Sequence, residues 1–163
     1  MTTSRIIYTR PDGGVSVVVP APKFIADFDG TEAEAMAAVQ AKSVPADAIE
    51  VEIVDATVIS YNRAFRDAWV KKGGRIEVDI PKARAIKTDA IRPERNERLA
   101  ALDIDYMRAD EAGDTSEKQR IANVKQTLRD LPATIQPDLD AIDQPEKLEA
   151  YELTWPTEPS KED

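Results

Sequence analysis

At Pro81 the apolar residues of this chain change their spacing, and one kind of secondary structure cannot satisfy both sides. Before it, apolar positions mostly alternate. Arg5–Thr9 and Val15–Val19 read as strands of a β-hairpin around Pro11-Asp12-Gly13-Gly14. Val15, Val17 and Val19 share one face and Val18 the other. Ile49–Val54 and Arg75–Ile80 alternate in the same way, the latter stopped by Pro81. Two short helices are predicted among these strands. Thr31 caps the first, with Glu34 completing a capping box, and it runs to about Lys42, just before Pro45. The second spans Tyr61–Lys72, burying Phe65 and Trp69 together at a spacing of four and ending at Gly73-Gly74.

After Pro81 the spacing is helical. Ala83, Ile86, Ala90 and Ile91 predict a helix, and beyond Pro93 a longer one carries Leu99, Leu102, Tyr106 and Ala109 on one stripe. Gly113 suits a helix end, and Asp114, Thr115 or Ser116 a new cap. The next helix carries Ile121, Val124, Leu128 and Leu131, and Pro132 is expected to stop it. Two stripes joined by a short turn make an αα-hairpin, with arms of roughly 24–30 Å. A Pro-rich acidic tail follows, in which Glu146–Tyr151 forms a turn or two of helix. Trp155 in that tail either folds back on the domain or serves as an exposed anchor. The expected fold is therefore α+β. A small domain over 1–80, with a β-hairpin and a small antiparallel or mixed sheet, precedes a helical hairpin over 81–132 and a tail over 133–163.

The chain has no Cys and no His. That removes thiolate nucleophiles, imidazole shuttles, Cys/His zinc sites and disulfides, and leaves carboxylate chemistry with a hard metal such as Mg²⁺. One segment has that look. Phe24-Ile25-Ala26-Asp27-Phe28-Asp29-Gly30-Thr31 resembles the signature of haloacid-dehalogenase phosphatases, which implies Asp27 as nucleophile and Asp29 as general acid/base. The surroundings fail it. The strand in front would be three residues long after Pro20 and Pro22, no later strand offers paired acids for Mg²⁺, and Asp29-Gly30-Thr31 serves as a turn into a helix cap. The Gly13-Gly14 and Gly73-Gly74 doublets lack the Lys and spacing of a phosphate loop and read as a hairpin turn and a helix terminator. No catalytic residue, cofactor or metal is expected.

Charge is unevenly spread. The net charge is −9, yet Arg63–Arg98 holds eleven basic and six acidic residues, while Asp138–Asp163 holds nine acids and two lysines. This segregation suits docking between proteins, or between segments of one chain. The basic stretch is too diluted by acids for nucleic acid to be an expected partner. Arg92, Arg95 and Arg98 line one side of a helix start as a solvated face or a partner contact. No run approaches the roughly 18 apolar residues of a membrane span. The N-terminus lacks the long apolar stretch of a signal peptide, so synthesis in a host cytoplasm is expected.

A resemblance adds to this. Phe65–Trp69, Asp79–Arg84, Arg98–Asp103, Tyr106–Ala109 and Lys125–Pro132 together resemble small proteins encoded among the tail and tail-fibre genes of tailed phages. The step Leu128-Arg129-Asp130-Leu131-Pro132, followed by Trp155-Pro156, is similar to the C-terminal pattern of phage tail assembly chaperone proteins, here with a longer spacer. The resemblance covers about Tyr61–Pro156 and brings no catalytic residues with it. It implies a structural or adaptor protein of the virion tail that binds other tail or fibre proteins in an oligomeric assembly, or alternatively a chaperone that leaves the particle. An inhibitor of a host protein is a third class. Arg95, Leu99, Leu102, Tyr106, Leu128 and Trp155 are the candidate partner-binding residues.

Overall fold

A computed structural model of the chain describes residues 3–59 and 63–156. The elements run β1 (Ser4–Thr9), β2 (Val15–Val18), α1 (Pro22–Asp27), α2 (Glu32–Ser43), β3 (Ile49–Asp55), β4 (Trp69–Lys72), β5 (Arg75–Val78), α3 (Ile80–Ala90), α4 (Arg92–Glu111), α5 (Thr115–Asp140) and α6 (Pro145–Ala150). The fold is α+β, as expected. It divides into two compact units, residues 1–83 and 84–163.

In the first unit β1 is the middle strand of an antiparallel sheet ordered β2-β1-β3. Ile7, Val15, Val17 and Val54 share a core with Trp69, Ile76 and Val78 of the β4–β5 hairpin. α2 lies against β1. Its capping box forms as the sequence requires. The Glu34 N–H donates to the Thr31 hydroxyl at 3.3 Å, and the Glu34 carboxylate accepts from the Thr31 N–H at 2.8 Å. β3 carries an irregularity that its simple alternation hides. Glu50 sits at φ 51° and the register with β1 shifts nearby. Val54 joins the core, whereas Ile49 and Ile53 are left 51% and 47% exposed.

Three expectations fail here. The helix expected over Tyr61–Lys72 starts in residues outside those described. Its later part is a 3-10 turn, Arg66–Ala68, followed by strand β4. Gly73 and Gly74 form the tight turn of the β4–β5 hairpin instead of ending a helix, with φ of 58° and 76°. Such a turn needs positive φ at both central residues, which glycine adopts without strain. Phe65 and Trp69 are both buried, but not as helical neighbours. Lastly, Ile80 does not extend β5. It opens α3, where the Asp79 carboxylate accepts from the Lys82 N–H at 2.9 Å.

The second unit is built on the helical hairpin. α4 ends at Ala112–Gly113, and Asp114 caps α5 by accepting from the Glu117 N–H at 2.8 Å. Pro132 does not stop α5. The helix continues through Pro132 and Pro137 to Asp140, giving 26 residues, or about 39 Å. An interior proline costs about 3 kcal/mol through its missing N–H and a steric clash. Ile135 and Leu139 extend the stripe past it and are 5% and 0% exposed. Burying each contributes about 1.5–3 kcal/mol, which offsets the break. Beyond Asp140, α6 buries Leu148 completely. The basic residues of α3 hold these helix ends. The Arg84 guanidinium donates to the carbonyls of Asp140 and Ile142, both at 2.8 Å, and Lys87 donates to that of Glu149 at 3.0 Å. Cations there also oppose the negative end of each helix dipole.

Candidate functional site

The expected partner-binding residues gather on one stretch of the second unit. Leu102, Ala109, Ile121, Val124 and Leu128 form the buried seam between α4 and α5. Leu99, Tyr106 and Trp155 pack against it while keeping part of their surface open. Leu102 and Leu128 are 4% and 2% exposed, so they hold the arms together and are not open to a partner in this conformation. Arg95 lies one turn before Leu99. Its Nε–H is buried without a hydrogen-bond acceptor among the described residues.

The seam has a charged rim. Lys125 pairs with Asp103, and Lys118 with Asp110, so each lysine of α5 reaches an acid on α4. The two ammonium groups also lie 5.4 and 5.7 Å from the centre of the Tyr106 ring. The bond to Asp110 raises the Lys118 pKa above its ordinary value. Asp103 and Asp105 face solvent within surface ion pairs, Asp105 with Arg108 at 3.1 Å.

Trp155 folds back and is half-buried. The Arg98 guanidinium lies 4.5 Å over its ring, in cation–π geometry, and also reaches Glu94 at 2.7 Å. The sequence shows Arg98 only as part of an arginine face. Its stacking on a residue 57 positions away has no local signal. Lys118 and Lys125 are seven apart on a helix, and that spacing alone could have marked them as one row facing α4.

The phosphatase-like segment does not form the expected geometry. Phe24–Ala26 belong to helix α1, not to a strand, and Asp27 ends that helix in an exposed pair with Lys23. The bond to the Thr31 N–H is the first cause that lowers the Glu34 carboxyl below its ordinary range, so the Thr31 region is a helix start. No helix among the described residues is long and apolar enough to cross a membrane.

Residues 88–160 match the family model of the phage tail assembly chaperone protein. No curated protein and no solved structure matches the chain. The match begins near the end of α3 and takes in α4, α5, α6 and Trp155, but not Phe65–Trp69 or Asp79–Arg84. It overturns the expected virion localisation. Tail assembly chaperones act while the tail is built and are typically not incorporated into the particle. Residues 88–160 are thus similar to the phage tail assembly chaperone family, and this match supports a phage tail-region protein.

Proposed function

We propose that this chain is a non-catalytic chaperone of tail assembly, which binds other phage tail proteins and leaves before the particle is complete. The observation that carries this is the family match over 88–160, which falls on the helical hairpin and its C-terminal segment. The partner-binding residues are Arg95, Leu99 and Tyr106 at the partly open edge of the seam, on which Trp155 packs, with Leu102 and Leu128 fixing the arms beneath them. A narrow, half-covered apolar edge rimmed by cations suits reversible binding of a client.

Quantitative mass spectrometry of infected cells and of purified particles tests the reading. The chain should be abundant in the cells, captured with tail proteins, and absent from the particles. A fixed copy number in finished particles would overturn it. Magnesium-dependent phosphate release that vanishes in Asp27→Asn would overturn the non-catalytic part.

A further inference from the structure

After α6 the chain runs on as a strap, residues 151–156, and burial alternates along it from Tyr151 to Trp155. Tyr151, Leu153 and Trp155 are half-buried, while Glu152 and Thr154 are exposed. This is the pattern of an extended peptide lying on a surface by every second side chain. Among the described residues, the Tyr151 N–H bonds to the Leu148 carbonyl, and residues 152–156 make no backbone hydrogen bond. The strap is held by side chains alone, through the packing of Trp155 on the hairpin seam and its stacking with Arg98. It can leave without breaking a backbone hydrogen bond. Its departure would uncover apolar seam residues beside Arg95, whose buried Nε–H lacks an acceptor, and would free the face of Arg98.

We infer that the strap is a built-in competitor, and that the groove it covers receives an extended, acidic segment of another tail protein bearing an aromatic residue. The occupant's chemistry is copied from what the groove already holds. An aromatic ring stacks on Arg98, alternate apolar residues pack on the seam, and a carboxylate meets the Arg95 guanidinium, whose buried Nε–H has no acceptor among the described residues. This rests on the tail-assembly reading.

The test uses the full-length chain, co-produced with the tail proteins of the same phage. Affinity for the captured tail protein is titrated for the unaltered chain, Trp155→Ala and Leu153→Ala. Weakening the competitor should tighten binding by about ten-fold in each variant, the reverse of what loss of a direct contact gives. Equal or weaker binding by both variants overturns the inference and leaves the tail-assembly reading standing. Capture of no tail protein by any form overturns both. Self-association that disappears in Trp155→Ala would seat the strap on a second copy, which also overturns the inference. A readout on the unaltered chain avoids any folding defect of the variants. The chain has two tryptophans, so 5-fluorotryptophan labelling gives two fluorine signals, assigned with Trp155→Phe. Binding should move the Trp155 signal to a solvent-exposed shift and leave Trp69 in place. A Trp155 signal that stays put would mean the strap never leaves.

Discussion

Asp55 closes the end of β3 with hydrogen bonds from the Thr3 hydroxyl and the Thr57 N–H, and these hold its carboxyl at about 2. Glu34 is lowered for the same kind of reason at the start of α2. The folded state thus binds fewer protons than the unfolded chain. The stability gained is fully present above the ordinary carboxylate range, and it is lost as pH falls from about 4 towards 2. Urea midpoints measured at pH 5 and pH 2.5 should fall on acidification, and the fall should be smaller in Asp55→Asn. Thr31→Ala removes the cap that Glu34 answers, and should cost about 1 kcal/mol in the same assay. In the hairpin seam Leu128→Ala should cost about 2–5 kcal/mol, because a side chain 2% exposed leaves a cavity behind.

At the scale of elements, proline and glycine mean different things in different company. Pro132→Ala restores a donor to the interior of α5 and should raise stability by about 1–2 kcal/mol, less than the full proline penalty because the unfolded chain gains freedom. Gly74→Ala should lower it by about 1 kcal/mol, since alanine resists φ of 76°. The capping box at Thr31 and the turn at Gly113-Asp114 were legible because each is decided by residues a few positions apart. The β4–β5 hairpin was not. Phe65 and Trp69 mimic a helical pair, and a glycine doublet serves a helix end and a tight turn equally well. The length of α5 was hidden because Pro132 obeys a local rule that the distant packing of Ile135 and Leu139 overrides. The candidate site divides the same way. Five of the six chosen residues lie on α4 and α5, because their stripe is written in the sequence, and the sixth, Trp155, reaches them from the strap. The partnership of Arg98 with Trp155 exists only once the chain has folded back.

For the whole molecule, the two units imply separate stability. Residues 84–163 made alone should retain helical circular dichroism and a cooperative urea transition, since their seam draws only on α4, α5 and the C-terminal strap. A non-cooperative melt would show that the seam needs the rest of the chain. The clamp from α3 adds a temporal order to this unit. The seam of α4 and α5 joins neighbours in sequence across a three-residue turn, so it forms early. Arg84, by contrast, reaches the Ile142 carbonyl across 58 positions and Lys87 the Glu149 carbonyl across 62. Contacts that close so long a loop come late. Removing the clamp with Arg84→Ala should therefore leave the refolding rate almost unchanged and speed unfolding, so that the arginine acts as a latch on the residence time of the folded unit and not as a guide to reaching it.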